Sequence, residues 1–252
     1  MRYLVRRSLI ALAITLPLPA HAADIQVLTP PNMKAILTDL TPEFERMSGH
    51  RLVINYAPAP AVKEKIAAGD NTDVAIALRP QMEELRKQGK LKSVDNVGRS
   101  FIGVAVRSGA PKPDISSLDA LKRALLAAKS ITYSDPPKGG IAGVYTAGLI
   151  ERLGLTEQLK AKTKLVAPGG GPLVEAVVSG EAEIAIDQLV SIVNKPGIDV
   201  VGTLPKEANV DIVMAAGVAS GSTQPDAAAA LIKFLTSPAA APVIKARGME
   251  PG

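Results

Sequence analysis

The sequence predicts an α/β protein built from mostly parallel sheets flanked by helices. Short apolar runs alternate with amphipathic runs from Ile25 onward, and the segments leaving the apolar runs are rich in Pro, Gly and small polar residues. That punctuation is what strand-loop-helix units produce. A third observation concerns division. The turn-rich Arg107-Ser108-Gly109-Ala110-Pro111-Lys112-Pro113 and the late apolar run from Asp211 to Val218 are placed to carry the chain out of a first domain and back into it.

The elements follow in order. Ile25 to Leu28 reads as the first strand, and after Thr29-Pro30-Pro31-Asn32 the residues Met33, Ile36, Leu37, Leu40, Phe44 and Met47 recur at helical spacing until Gly49 can end the helix. Pro42 inside it should introduce a kink. Leu52 to Tyr56 is a second strand, Ala57-Pro58-Ala59-Pro60 its outgoing loop, and Ala61 to Ala68 a short helix closed by Gly69. Asp73 to Leu78 is continuously apolar after its first residue, as a strand covered on both faces should be. Arg79-Pro80 ends it, and Gln81 to Gln88 forms a charged surface helix. Phe101 to Val106 is the next strand. Ser116 or Ser117 can cap a helix carrying Leu118, Leu121, Leu125 and Leu126. Ile131 to Tyr133 is a strand that opens into Ser134-Asp135-Pro136-Pro137-Lys138-Gly139-Gly140, and a helix runs from Ile141 to Leu153. Lys164 to Ala167, the loop Pro168-Gly169-Gly170-Gly171-Pro172, a helix from Leu173 to Ser179 and a strand from Glu183 to Ile186 repeat the unit, with Asp187-Gln188 at the strand end. Val200-Val201, the returning strand and helices over Ala227 to Phe234 and Ala239 to Ala246 complete the chain.

Residues 1–22 read as an export signal. Arg2, Arg6 and Arg7 form its charged head, Leu9 to Leu18 its apolar middle, and Ala20-His21-Ala22 a small-x-small cleavage site, so the mature chain starts at Ala23. The apolar run is short and broken by Pro17 and Pro19, so no stable membrane insertion is expected. Ordinary secretion suffices, with Arg6-Arg7 leaving twin-arginine export as the alternative. The roughly 230 residues that remain can bury a core as one large domain or two small ones.

Removing the signal takes the balance from 29 Lys and Arg against 24 Asp and Glu to 26 against 24. A nearly neutral mature chain with 3 Tyr and 3 Phe offers neither the charge nor the stacking surface for nucleic acid. There is no Cys, and His50 is the only His of the mature chain, so disulfides, thiolate chemistry, a histidine-dependent triad and a multi-histidine zinc site lack material. No catalytic residues, metal or cofactor are expected, and the protein is read as a binding protein rather than an enzyme.

Ligands of open α/β sheets collect beyond the carboxyl ends of the strands. The candidates there are Thr29 and Asn32 in the first loop, Ala59 and Pro60 in the second, Arg79, then Ser134, Lys138, Gly140, Ile141 and Ala142, then Gly170, Asp187 and Gln188. Most of these loops precede a helix, whose first N–H groups and dipole suit an anion. Arg79 can grip a carboxylate as a fork and Lys138 as a point charge, or each can be an ordinary solvated surface cation. Asp187 can orient a donor on the ligand, pair with Arg79 or Lys138, or cap the helix that follows. Gly169-Gly170-Gly171 lacks the G-K-[ST] ending of a nucleotide loop.

Together, the export signal and the series V-L-T-P-P-N-M, L-V-I-N-Y-A-P-A-P, A-A-G-D-N-T-D-V-A-I-A, S-D-P-P-K-G-G-I-A-G-V-Y and F-L-T-S-P-A-A-A-P-V-I-K-A-R-G resemble the molybdate-binding-like branch of the periplasmic solute-binding proteins of ABC transporters. The resemblance implies a two-lobed fold of type II with two crossover strands, lobe I being residues 23–104 plus 212–252 and lobe II residues 105–211. It also implies a monomer in the periplasm that closes on a small anionic ligand and delivers it to a membrane permease. The pocket departs from the branch. Asn32 and Pro58-Ala59-Pro60 stand where molybdate binders carry serines, and Asp187 where they carry a tyrosine, while Ala142 matches. Loss of hydroxyls and gain of a carboxylate favour an organic acid such as a di- or tricarboxylate. The alternatives are molybdate, tungstate or another oxyanion, or a ligand sensed on behalf of a membrane receptor.

Overall fold

The computed structural model describes residues 22–138 and 140–252. The expected export signal lies outside the described residues apart from Ala22. In the first stretch of chain, β1 (Asp24–Thr29), α1 (Lys34–Ser48), β2 (Arg51–Tyr56), α2 (Ala59–Ala68), β3 (Val74–Leu78), α3 (Arg79–Lys87) and β4 (Asp95–Ser100) follow one another. The second holds β5 (Ile102–Arg107), α4 (Leu118–Ala127), β6 (Ile131–Ser134), α5 (Ile141–Arg152), α6 (Thr156–Lys160), β7 (Thr163–Val166), α7 (Gly171–Ser179), β8 (Ile184–Gln188), α8 (Leu189–Ile192) and β9 (Ile198–Thr203). β10 (Ile212–Val218), α9 (Pro225–Leu235), α10 (Ala241–Ala246) and β11 (Met249–Pro251) return to the first. Among the described residues no helix is long and apolar enough to cross a membrane.

The strands form two sheets, β11-β4-β10-β3-β1-β2 and β7-β6-β8-β5-β9. The expectation of mostly parallel sheets needs correction, because both are mixed. β1 runs parallel to β2 and β3, and β6 to β7 and β8. Those pairs come from strand-helix-strand units, whose helices return the chain to the same end of the sheet. β10 and β5 arrive instead from the opposite lobe and run antiparallel to both neighbours. The chain changes sheet at Phe101, so a border after residue 104 would fall inside β5, and it returns through residues 204–211.

Each lobe closes over its own apolar layer. In α1 the buried Ile36, Leu37, Leu40 and Phe44 lie on one face, and Gly49 ends the helix in the left-handed conformation (φ 73°) that glycine adopts without strain. The helix continues through Pro42. Met47, expected on the inner face, is 60% exposed, because the buried stripe finishes at Phe44. Phe44 meets Phe234 of α9 with ring centroids 5.6 Å apart. In the second lobe Ile102, Val104, Ile131 and Ile184 pack against Leu121, Leu125, Leu149 and Ile150.

Two features join the lobes. Val190 of α8, which directly follows β8 of the second sheet, is buried in the core of the first lobe beside Met33 and Ile36. Asn209 ties the crossing segments together. Its Oδ1 accepts from the Ile102 and Val210 N–H groups at 3.0 and 2.9 Å, and its Nδ2 donates to the Ile102 and Leu204 carbonyls at 3.1 Å each. Replacing Asn209 with Ala strands partly buried backbone groups on both crossings, so Asn209→Ala should lower unfolding stability by about 1–3 kcal/mol. Urea denaturation checks this, and an unchanged midpoint would show that water takes over those bonds.

Candidate functional site

The carboxyl ends of β1, β2, β6, β7 and β8 all open toward one cleft between the lobes. The cleft encloses about 200 Å³, bounded by Pro30, Pro31, Asn32, Pro58 and Ala59 from the first lobe and by Ser134, Lys138, Gly140, Ile141, Ala142, Pro168, Gly169, Asp187, Gln188 and Ser191 from the second. Of the expected residues, Asn32, Ala59, Ser134, Lys138, Gly140, Ile141, Ala142, Asp187 and Gln188 are brought together there. Four are not. Thr29 is fully buried at the end of β1 with its Oγ1 unpartnered, and it does not reach the wall. Pro60 and Arg79 line a neighbouring, more apolar groove with Val144, Tyr145 and Val210. The Arg79 Nη1 donates to Asn96 Oδ1 at 2.8 Å, and its Nη2 lies 3.5 Å from Glu83, so the fork is held away from the cleft by its own helix and by β4. Gly170 is turned to the packing side of its loop, where a methyl group would stand 2.6 Å from the Ser191 carbonyl oxygen, and Gly169 lines the cleft in its place.

Three helices begin at this cleft without a side-chain cap. α2 follows Pro58, α5 follows Gly140 and α7 follows Gly170, and none carries an acidic residue in its first turn. Ring-closed or glycine positions at these starts supply neither hydroxyl nor carboxylate, so the first-turn N–H groups and the positive end of each dipole stay available to a ligand. α5 sits directly on the end of β6: a methyl group at Gly143 would run into the Ser134 carbonyl oxygen. That contact fixes where Ile141 and Ala142 present their N–H groups. Lys138 adds a positive charge at the rim, with its Nζ 3.3 Å from Asp135 and its side chain 61% exposed.

The opposite polarity is built into the floor. Asp187, 4% exposed, ends β8 among buried residues. Its Oδ1 accepts from the Gln188 N–H at 2.7 Å, and the Ser134 hydroxyl donates to Oδ2 at 3.4 Å. Burial pushes the carboxyl up to about 6, only partly opposed by the bonds from Gln188 and Ser134, and no cation contributes. Neither pairing with Arg79 or Lys138 nor capping of the one-turn α8 describes this carboxyl, whose Oδ1 is held by its neighbour's N–H while Oδ2 has only the long contact from Ser134. Across the cleft Asn32 donates through Nδ2 to Gln188 Oε1 at 2.9 Å, joining the two lobes, while its Oδ1 is buried without a partner. Ser191 escaped the sequence reading because α8 is a single turn; its position four residues beyond Asp187 is the signal that places it on the same side.

The cleft therefore combines backbone donors and a lysine with acceptors, Asp187 and Asn32 Oδ1, and each lobe contributes both kinds.

Comparison with known proteins was made against this geometry. A family model described as bacterial extracellular solute-binding protein matches residues 25–250. The aconitate isomerase of a Pseudomonas species is 32% identical over 235 residues, covering 90% of this chain and 87% of that protein. The molybdate-binding protein of Azotobacter vinelandii is 28% identical over 98% of both chains. Among solved structures, the periplasmic molybdate-binding protein of Azotobacter vinelandii superposes with a TM-score of 0.72 at 21% identity, covering 90% of this chain and 99% of that one. The two mixed sheets flanked by helices are thus the two-lobed type II fold.

Asp187 gives a pH signature. Its folded pKa of about 6 lies above the ordinary 3.8, so the folded protein keeps a proton that the unfolded chain has released. The associated stability is fully present below about pH 4 and is lost as pH rises through about 6, a change of about 3 kcal/mol. Asp187→Asn should accordingly melt at a higher temperature than the parent at pH 8, the difference vanishing near pH 4. Equal melting temperatures at pH 8 would mean that the carboxylate is solvated.

Proposed function

We propose, from the premise that this chain belongs to the bacterial extracellular solute-binding protein family, that it captures a small organic acid of the di- or tricarboxylate class between its lobes. In this reading an export signal cleaved after Ala22 sends the chain to the periplasm, where it works as a monomer and hands the acid to an ABC permease. The observation that carries the choice of ligand is Asp187. A buried carboxyl without a cation repels a compact dianion that fills the same cavity, whereas an extended acid can place its carboxylates at the starts of α2, α5 and α7 and turn a hydroxyl or a protonated oxygen toward Asp187 and Asn32. Expected affinity for molybdate or tungstate is correspondingly low, although relatives and fold neighbours include proteins named for molybdate.

A second reading is favoured by the same carboxyl together with the 32% identical relative named aconitate isomerase. A carboxyl of raised pKa on the floor of a site that holds an organic acid is placed to exchange protons with it. In this reading the chain binds an unsaturated tricarboxylate and isomerises it, and the binding fold serves as the scaffold of an enzyme.

Both readings share the ligand class, which a thermal-shift screen of the mature protein tests. Citrate, aconitate or a related acid should raise the melting temperature by mass action while molybdate leaves it unmoved; a shift by molybdate and none by any carboxylic acid would overturn the proposal. Calorimetry should separate the two cleft cations of the sequence reading. Lys138→Ala is expected to weaken binding by roughly tenfold, and Arg79→Ala to leave it within about twofold.

A further inference from the structure

We propose that Asp187 is the acid–base group of a proton-transfer reaction in the cleft, carrying one proton between the two outer carbons of an unsaturated tricarboxylate. This rests on the second reading of the preceding section and goes beyond it by assigning the chemistry to one side chain. Three observations converge on Asp187. It lines the cleft while being 4% exposed. One of its oxygens is fixed at 2.7 Å by the Gln188 N–H, whereas the other is engaged only by the long 3.4 Å contact from Ser134 and keeps lone-pair capacity for an occupant of the cleft. Among the described residues the only cation of the cleft wall, Lys138, is paired with Asp135. The other titratable side chain types suited to such work do not line the cleft: among the described residues there is no His, Cys, Glu or Tyr in its wall.

The step balances without an oxidant, reductant or metal. Asp187 as carboxylate takes a proton from the methylene carbon beside the double bond, and that C–H pair enters the three-carbon system. The ligand's carboxylates hold the negative charge, facing the first-turn N–H groups of α5 and α7 and the Lys138 ammonium. The protonated Asp187 then gives the proton to the far carbon. The new C–H bond forms there, the double bond has moved by one position, and the carboxylate is restored. Product and substrate have the same composition, as an isomerisation requires. The Ser134 hydroxyl, which donates to Oδ2, steadies the carboxylate before the first transfer and after the second.

The test uses the mature protein with trans-aconitate as the probe, followed by proton NMR in parallel with calorimetry. The parent should convert trans-aconitate to its cis isomer. Asp187→Asn should bind trans-aconitate within about threefold of the parent yet convert it more slowly by roughly 100-fold or more, with Asp187→Glu recovering part of the rate. Binding by the parent without any conversion would overturn the isomerase reading and this assignment with it. Conversion by the parent matched by Asp187→Asn would overturn the assignment alone. A measurement on the parent guards against a variant that fails to fold. In deuterium oxide a single buried carrier should deliver some of the substrate's own proton to the product, and product carrying solvent deuterium alone at that carbon at early times would overturn a single shielded carrier.

Discussion

A helix that starts without a cap leaves backbone N–H groups in need of acceptors, and three such starts facing one cavity set the character of the whole cleft. Proline and glycine at Pro58, Gly140 and Gly170 remove the side-chain oxygens that would ordinarily quench those donors within the protein. The surrounding architecture serves this arrangement. Parallel strand-helix-strand units bring the helix starts to the same end of each sheet, and the antiparallel crossings set the two ends face to face.

Against this positive frame the buried Asp187 supplies the opposite sign, and the pairing of the two is the basis for proposing a ligand with distinct ends. A site with donors on every side selects a small symmetrical anion. Here Asp187 and the unpartnered Asn32 Oδ1 break that symmetry. The side chains that do so come from different lobes, and Asn32 and Gln188 are hydrogen-bonded across the gap. Recognition of the ligand and approach of the lobes thus share the same residues, so any group that competes for Gln188 Oε1 also acts on closure.

Much of the fold could be read from the chain. Val74 to Leu78 and Ile184 to Ile186 are uninterrupted apolar runs, and the observed strands there are buried on both faces as such runs require. Gly49 and Gly69 mark helix ends that the structure realises in the left-handed conformation. The elements that stayed hidden have physical reasons. β4, Asp-Asn-Val-Gly-Arg-Ser, lacks an apolar pattern because β10 and β11 hold it by backbone pairing, while α6, α8 and β11 are shorter than the window in which periodicity can be seen. The site shows the same division. Loops at strand ends are evident from Pro and Gly, and of the residues they pointed to, Asn32, Ala59, Ser134, Ala142 and Asp187 line one cleft. Strand-end position says nothing of side-chain direction, however, so Arg79 and Pro60 faced a neighbouring groove, and Ser191 could be found only through the turn of α8.

The uncapped helix starts have a consequence for how such a protein changes over generations. Donors that belong to the backbone cannot be lost by substituting the residue that bears them, proline excepted, so the attraction for acids is carried by the fold itself. In the proposed reading, ligand choice rests on the few side chains that interrupt the frame, chiefly Asn32 and Asp187. A lineage can therefore move from one cargo to another, or from carrying a molecule to transforming it, by exchanging one or two residues while the scaffold and its affinity for negative charge are inherited intact.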